Sequence, residues 1–311
     1  MPVLVAVSGG ADSVALLTAL VRLQRTAKST LVVGHYNHRW RGKESDEEAQ
    51  FVRELATQYG IDFELDCAPQ NKETSTVNEA SAREARYRFL QQTAERRGAR
   101  YIATAHTADD QAETVLHRIL RGTGIAGLAG IPRTRVLSPA VTLIRPLLAY
   151  RRVEVEAYLA DLNQPYRQDS SNRDITFTRN RIRQELIPQL ASQYNPEIVP
   201  ALLRLSELAD ETQQYLVQQV EPIFSSCIVQ QDLIQTVVSR KRLASHPPLL
   251  IREFFVALWT QRDWPRQAMG YREWERLHTL VGGGDDEKLV LPGRVHCENR
   301  DAEMVVARKS K

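Results

Sequence analysis

Six residues near the N-terminus, SGGADS at positions 8–13, offer backbone N–H and hydroxyl groups that suit an anion, and they contribute little to a hydrophobic core. They stand between a short apolar run, Val3–Val7, and a stretch with helical periodicity. Consecutive glycines permit a tight turn that brings backbone N–H groups close to a ligand, and the first turn of a helix adds further N–H donors. Ser8 and Ser13 add hydroxyl groups. The stretch therefore predicts a cradle for a phosphate chain, although it lacks the lysine of the GxxxxGK[ST] loop.

A second polar stretch, HTADDQAET at 106–114, directly follows another apolar run. If the two runs are neighbouring strands, Asp12 and Asp110 lie close together beside the phosphates. Two carboxylates tolerate a triphosphate best when they share a cation, and Mg²⁺ accepts oxygen ligands from carboxylate and phosphate alike. The alternative for each aspartate is an acid in the first turn of a helix, stabilised by the helix dipole. His106 is placed to contact phosphate or to stabilise charge on a leaving group.

Residues 1–150 alternate between short apolar runs and helical patterns. This order is typical of an α/β fold in which helices cover both faces of a doubly wound parallel sheet. Ligands bind such sheets beyond the carboxyl ends of the strands, which is where the polar stretches stand. The predicted strands are Val3–Val7, Leu31–His35, Ile61–Cys67, Tyr101–Ala105 and Val141–Arg145.

The pattern changes in the last third of the chain. We predict a catalytic domain over 1–194, a helical connector over 195–224 and a small α+β domain over 225–311, with helices at Pro248–Gln261 and Tyr271–Val281. The small domain also carries cations that suit the phosphates of a polyanion. The candidates are Arg240, Lys241, Arg242, Arg252 and Arg272.

Composition limits the possible classes. No apolar run approaches the length of about 20 residues that a membrane span needs, and the N-terminus carries no signal-peptide pattern, so we expect a cytoplasmic protein without a membrane partner. The three cysteines, Cys67, Cys227 and Cys297, are far apart, which disfavours a disulfide framework or a cysteine metal site. The net charge is only +3, but arginines concentrate between Arg145 and Arg183 and suit a polyanion; solvated helix faces are the alternative.

Five motifs, taken in order, resemble those of one enzyme family. SGGADS resembles the pyrophosphatase loop of the ATP-pyrophosphatase superfamily. The other motifs resemble elements of the tRNA(Ile)-lysidine synthetase family, in its short two-domain form, over residues 3–190. Trp40 stands where that family commonly has leucine, and Phe177 where it commonly has tyrosine. The matching segments are HYNHRWRGKESDEE, NEASAREARYRFL, TAHTADDQAET with RGTGIAGLAGI, and RPLL with DSSN and RNRIRQELIP.

The resemblance implies an adenine-nucleotide α-hydrolase-like fold and a two-step reaction. ATP, with Mg²⁺, adenylates C2 of the wobble cytidine in the CAU anticodon of tRNA(Ile), and the amine of free L-lysine then displaces AMP. The product, lysidine, changes the specificity of the tRNA from methionine to isoleucine. A monomer and a homodimer both stay open.

The resemblance also implies roles for individual residues. Asp12, His106, Asp110 and Arg179 are expected to be catalytic, with Asp12 and Asp110 holding Mg²⁺ through phosphates. The expected ATP contacts are Ser8, Gly9, Gly10, Ala11, Asp12, Ser13, His35, Asn37 and His106. The expected contacts to tRNA or lysine are Arg41, Glu79, Arg83 and Arg183. The resemblance also implies that the cations of the small domain bind tRNA.

Several of these roles have structural alternatives. His35 can simply end its strand, and Glu79 can be the capping partner of Thr76. Arg179 and Arg183 share a helix face, where a weak surface salt bridge is the alternative to phosphate binding.

The glycine-rich segment at 121–131 has two interpretations, a mobile loop that closes over the reacting base or a tightly packed corner. Two other functions also stay open. One is a tRNA-thiolating enzyme of the same superfamily, which the isolated cysteines disfavour. The other is a silent nucleotide-binding module, which the intact loop disfavours.

Overall fold

The computed structural model describes residues 2–27, 29–40, 42–69, 79–167, 178–283 and 287–309. The chain forms two compact units, residues 1–208 and 209–311. The boundary between them falls inside one long helix, Ile198–Cys227, which begins three residues later than the predicted connector. Arg41 and the motif DSSN lie outside the described residues, as does the side chain of Glu79.

The first unit contains a six-stranded, mainly parallel sheet in the order β3-β2-β1-β4-β6-β5. All five predicted strands are present, so the predicted α/β class is confirmed. The sixth strand, β5, pairs antiparallel with β6 at the edge, and the sequence analysis missed it because its residues are mostly exposed and show no apolar run. The strands are β1 (Pro2–Ala6), β2 (Thr30–Asn37), β3 (Asp62–Cys67), β4 (Tyr101–Ala103), β5 (Thr134–Ser138) and β6 (Val141–Ile144).

Helices cover both faces of this sheet, because alternate residues of the buried strands point to opposite sides. Val5 and Val33 belong to the core on one face, whereas Leu4 and Val32 belong to the core on the other. The helices and helical turns are α1 (Ala11–Ala27), α2 (Lys43–Gln58), α3 (Glu79–Arg96), α4 (Ala108–Arg121), α5 (Ile125–Leu128), a 3₁₀ turn (Pro146–Ala149), α6 (Arg152–Asp161), α7 (Thr178–Arg181), a π-helical turn (Ile182–Leu186), α8 (Ile187–Gln193) and α9 (Ile198–Cys227).

The strand order creates a switch point between β1 and β4. The chain proceeds from β1 outward through β2 and β3, and then returns to place β4 on the other side of β1. Connections leave the two central strands in opposite directions at such a point, and this opens a crevice beyond their carboxyl ends. The loop after β1 is SGGADS and the loop after β4 contains His106, so both stand at this crevice.

One helix start differs from the sequence prediction. SDEE suggests a capping box with Ser45 as the N-cap, but α2 begins at Lys43 with Gly42 as its N-cap. Gly42 has a φ of 52°, a left-handed conformation that glycine adopts without strain. The helix therefore begins three residues earlier than the side-chain pattern indicates, and Ser45 is buried inside its first turn.

The second unit is built on a five-stranded antiparallel sheet in the order β7-β8-β11-β10-β9. Its two longer helices coincide with the predicted ones, and Phe254, Phe255 and Trp259 form the centre of its core. The elements are β7 (Ile228–Gln231), β8 (Gln235–Ser239), α10 (Arg240–Leu243), α11 (Pro248–Gln261), α12 (Tyr271–Gly282), β9 (Lys288–Leu291), β10 (Val295–Arg300) and β11 (Glu303–Arg308). Among the helices of the described ranges, none is long and apolar enough to cross a lipid bilayer.

Candidate active site

Ser13 holds the loop between β1 and α1 in its shape. Its Oγ accepts hydrogen bonds from the backbone N–H groups of Ser8 and Gly9, both at 3.1 Å, and donates to the carbonyl of Gly10 at 2.9 Å. Gly9 has a φ of 100°, which a residue with a side chain rarely adopts. The Ser13 hydroxyl thus fixes the loop conformation through hydrogen bonds to the loop backbone. The N-terminal residues of α1 line the crevice.

Asp12 occupies the first turn of α1 with its two carboxylate oxygens in different surroundings. Oδ2 accepts a hydrogen bond from Arg152 at 2.9 Å. Oδ1 is buried and has no hydrogen-bond partner among the described residues. Burial raises the pKa of the Asp12 carboxyl, the Arg152 guanidinium opposes this, and the nearby charge of Asp110 adds to it. The Arg152 guanidinium therefore only partly offsets the cost of burying the charged carboxylate, as expected of a residue that binds a cation.

Asp110, in contrast, is saturated with hydrogen bonds. Its Oδ2 accepts from the backbone N–H of Thr107 at 2.8 Å and from the Thr107 hydroxyl at 3.1 Å. Its Oδ1 accepts from Arg179 at 2.9 Å and lies 3.3 Å from an Arg183 nitrogen. Burial alone would raise the pKa of this carboxyl, but Arg179 and the Thr107 amide hold it below its usual value. Asp110 is thus both the capping residue of α4 and part of an ion-pair cluster.

Glu113, one turn after Asp110, completes that cluster. Its side chain is 1% exposed and accepts hydrogen bonds from Arg179 Nε at 3.1 Å and from Arg183 Nε at 2.5 Å. Arg179 and Arg183 share a helical face, as their spacing predicts. They reach down to two acidic residues of α4 and form a partly buried network rather than a weak surface salt bridge.

A second set of ion pairs fastens α6 to α4. Arg151 donates two hydrogen bonds to Asp109 Oδ1, at 2.9 and 3.1 Å, and the backbone N–H of Arg152 donates to Asp109 Oδ2 at 2.6 Å. Asp109 therefore fixes the first residue of α6, from which the Arg152 side chain reaches Asp12.

The end of β2 is held by buried polar side chains. The Nδ1 of His35 lies 2.8 Å from the carbonyl oxygen of Val7, which links β2 to the end of β1. Asn37 donates from Nδ2 to Asp46 at 2.9 Å and accepts from the backbone N–H of Arg39 at 2.8 Å. Both side chains line the outer part of the crevice, and their hydrogen bonds fix the adjacent loops.

Two connected cavities occupy the crevice. The inner cavity, of about 220 Å³, is bordered by the small residues Ala6, Gly34 and Ala105 and by Leu90 and His106. The outer cleft, of about 660 Å³, shares several walls with it, and small-molecule sites typically span about 300–1,000 Å³. The polar residues that line the outer cleft include Asp12, Asp110, Arg152, Arg179 and Arg183.

Two neutral histidines face these cavities. Burial lowers the pKa of His38 to about 4, and the charge of Arg86 adds to the effect. Burial lowers the pKa of His106 to about 3 against the opposing charge of Asp110, with Arg145 and Arg86 lowering it further. The Nε atoms of Arg86 and Arg145 are buried and have no hydrogen-bond partner in the described part of the chain. Arg86, which lines both cavities, therefore places a positive charge at the inner end of the crevice, where it suits an anionic ligand.

Comparison with known proteins agrees with this geometry. The PP-loop domain family matches residues 1–190. A tRNA(Ile)-lysidine synthase from Nostoc sp. is 38% identical over 80% of this chain and 70% of the relative. Those from Rhodopirellula baltica and Thermosynechococcus vestitus are each 34% identical, over 89% and 94% of this chain and 79% and 83% of the relatives. The chain belongs to the tRNA(Ile)-lysidine synthase family. It is an ATP-using enzyme of that family.

A solved structure outside the tRNA(Ile)-lysidine synthase family has a similar fold. A U34-tRNA thiolase from Methanococcus maripaludis, with its [4Fe-4S] cluster, superimposes with a TM-score of 0.56 at 19% identity, over 68% of this chain and 73% of that chain. At this identity the likeness concerns the fold alone.

Most of the sequence-predicted site residues meet at the crevice of this tRNA(Ile)-lysidine synthase family member. Arg83 differs, because it is exposed on α3, where its guanidinium lies 5.3 Å from the centre of the Tyr87 ring. Two important residues were missed in the sequence analysis, Arg152 and Glu113. Glu113 stands three residues after Asp110, and this helical spacing indicates that the two carboxylates share a face of α4. For Arg152 the sequence shows only that it belongs to a basic stretch.

The glycine-rich segment forms a packed corner at its second half. Arg118 donates to the carbonyls of Gly127 and Gly130 at 2.7 and 2.8 Å, and Gln111 both donates to Ala129 and accepts from Ile131. These bonds favour the packed-corner interpretation for residues 127–131 over a mobile loop.

The first prediction concerns Gly9 in the loop. We expect Gly9→Ala to destabilise the loop conformation by about 1–3 kcal/mol, because alanine is strained at a φ of 100°. The loss should appear as a lowered affinity for ATP in equilibrium binding. Gly60→Ala is the matched control, since Gly60 also has a left-handed φ, of 66°, but lines neither cavity. Equal affinities for the two variants would contradict the prediction.

The second prediction concerns pH. An unfolded histidine takes up a proton near pH 6.5, whereas folded His38 takes it up only near pH 4. Between these values the unfolded state binds more protons, so the stabilisation is complete above pH 6.5 and is lost as the pH falls towards 4. We expect His38→Gln to make this part of the stability profile shallower in urea titrations, while the lowered pKa values of His35 and His106 maintain the remaining slope, and we expect His117→Gln to leave the profile unchanged. A profile for His38→Gln as steep as that of the wild type would count against this origin.

Proposed function

We propose that this enzyme uses ATP to join free lysine to C2 of the wobble cytidine in the CAU anticodon of tRNA(Ile), through an adenylated cytidine, releasing AMP and pyrophosphate. The observation that carries the proposal is the buried Oδ1 of Asp12, which has no hydrogen-bond partner in the described part of the chain and lies beside a phosphate-type loop at the switch point of the sheet. The names of its relatives supply the substrate class.

The cavities suggest where each part of ATP binds. The adenine suits the inner cavity, since Ala6, Gly34 and Ala105 leave room for a flat ring. A methyl group on Gly34 would come within 3.2 Å of Leu4 and Leu90. The phosphates then extend into the polar outer cleft, towards the N-terminus of α1.

The residues present fit Mg²⁺ bound together with phosphates. Among the described residues there is no group of three or more His, Cys, Asp or Glu side chains placed for a metal, and Mg²⁺ characteristically takes one or two carboxylates plus substrate phosphates. Asp12 would hold it through Oδ1. Asp110 is already engaged by Thr107, Arg179 and Arg183, so its predicted share in the metal site requires some of these bonds to be released. The ion would neutralise phosphate charge.

The chain's own residues supply the rest of the chemistry. Arg152, Arg179 and Arg183 present guanidinium groups whose planar geometry matches phosphate oxygens. His106 is oriented by the Thr104 hydroxyl, 3.2 Å from its Nδ1. When Nδ1 accepts this bond, Nε2 carries the proton of the neutral ring, and it can donate a hydrogen bond to a phosphate without adding a charge.

We further propose that the second unit contributes to tRNA binding, although with fewer cations than predicted from sequence. Arg240 is buried and donates to backbone carbonyls of Asp301 and Gly283, and Arg252 pairs with Glu275 at 2.5 Å. Lys241 and Arg272 are exposed and are the better candidates for phosphate contact.

Two of the three cysteines are unsuited to tRNA thiolation, the alternative function, whereas Cys67 is half-buried. Cys227 and Cys297 are buried in the second unit, and burial raises the pKa of both thiols, that of Cys297 to about 12. Thiols held in this protonated form are poor nucleophiles and poor sulfur carriers.

The test is an assay with labelled lysine, ATP, Mg²⁺ and a tRNA(Ile) transcript with a CAU anticodon. The methionine tRNA with the same anticodon is the matched control. We expect lysine incorporation into the first tRNA only, with one AMP and one pyrophosphate released per lysine. AMP release without lysine incorporation would reject the proposed acceptor, and no ATP turnover would reject the reaction as a whole.

A further inference from the structure

An aromatic column rises from the core to the surface at the end of β2. Trp40 stacks on His38, with ring centres 5.0 Å apart and planes inclined by 29°. His38 meets Tyr36 edge-on at 4.8 Å, and Tyr36 lies 5.9 Å from the buried Phe89. The outermost ring, Trp40, is 56% exposed and lines the outer cleft.

The backbone around Trp40 is fixed by specific bonds. Arg39 adopts a left-handed φ of 56°, and its backbone N–H is held by Asn37 at 2.8 Å. Asn37 is itself tied to Asp46 on α2. These bonds fix the backbone that leads into Trp40, and the stack on His38 orients the indole. A ring oriented before binding loses little entropy when a partner stacks on it.

The surroundings of the indole suit a nucleobase. His38 is neutral at physiological pH, because burial lowers its pKa to about 4, so the lower ring of the stack carries no charge. Arg86, Arg152 and Arg167 line the same cleft as Trp40. Aromatic rings beside a positively charged groove are the usual means of binding a single-stranded nucleic acid.

We propose that Trp40 is a stacking platform for an unpaired base of the RNA substrate, next to the base that enters the cleft. The proposal rests on the proposed function in taking RNA as the substrate. The adenine of ATP is the less suitable occupant, because Trp40 borders the outer cleft but does not border the inner cavity.

The experiment measures filter binding of the CAU tRNA(Ile) transcript to the full chain. Loss of one base–aromatic stack should raise the dissociation constant of Trp40→Leu on the order of ten-fold, while Trp40→Phe, which keeps an aromatic face, stays within about two-fold of the wild type. Tyr194→Leu is the matched control, because Tyr194 is 75% exposed but does not line either cavity. Wild-type binding by Trp40→Leu, with matching thermal unfolding curves, would overturn the proposal.

Tryptophan fluorescence supplies a second readout. The other three tryptophans lie in the second unit, so the difference in emission between the wild type and Trp40→Phe reports Trp40. We expect tRNA to quench this difference and ATP alone to leave it unchanged. Quenching by ATP alone would assign the platform to adenine and reject an RNA base. Quenching by tRNA in a protein that fails to incorporate lysine would retain the platform and reject the proposed reaction.

Discussion

Asp12→Asn is expected to lower ATP-dependent turnover by about 10²- to 10³-fold without loss of stability. The amide keeps an oxygen that can accept the hydrogen bond from Arg152, but it removes the negative charge at the buried Oδ1. Because burial raises the pKa of this carboxyl, the charge costs folding free energy, and its removal should leave the midpoint of urea unfolding equal or higher. The measurement pairs pyrophosphate release with urea titration.

Asp62→Asn is the control for this prediction. Asp62 is exposed and pairs with Arg97 on the surface, so its loss should change neither activity nor stability measurably. An Asp12→Asn variant that retains near-normal turnover would remove Asp12 from the reaction, and one that is inactive only because it is unfolded would show it to be structural.

Glu113→Gln is expected to destabilise the first unit by about 3 kcal/mol, because it removes the more buried of the two carboxylates that Arg179 and Arg183 share and leaves Asp110 as their common countercharge. The side chain is 1% exposed and bonds to both Arg179 and Arg183. Urea titration followed by circular dichroism measures the loss. Turnover should fall as well, since both arginines lose the group that holds them at the cleft.

The matched control is Glu84→Gln, which also breaks a Glu–Arg pair. Glu84 and Arg88 are both largely exposed, and such pairs contribute about 0–1 kcal/mol. A loss for Glu113→Gln no larger than that for Glu84→Gln would show that the cluster on α4 contributes little to stability.

Local spacing of residues is enough to predict most of the strands of the first unit and the loop after β1. Short apolar runs predict strands β1 to β4 and β6. SGGADS is recognisable as a binding loop because glycine and serine residues at the end of a strand contribute little to a hydrophobic core. Residues such as Asp12 and His106 were placed near each other by one rule, that ligands collect beyond the carboxyl ends of parallel strands. These inferences succeed because they rest on local spacing.

The pairing of the charged groups could not be predicted from the sequence, because it depends on the tertiary fold. Arg152 meets Asp12 across 140 positions of sequence, and Arg183 meets Glu113 across 70. Arg240 and Arg252, predicted to face RNA, bind their own unit instead. The edge strand β5 and the early start of α2 at Lys43 likewise depend on pairing and on the turn at Gly42. The reason is physical: apolar periodicity is set within a few residues, whereas a long cationic side chain takes whichever acceptor folding brings within its reach.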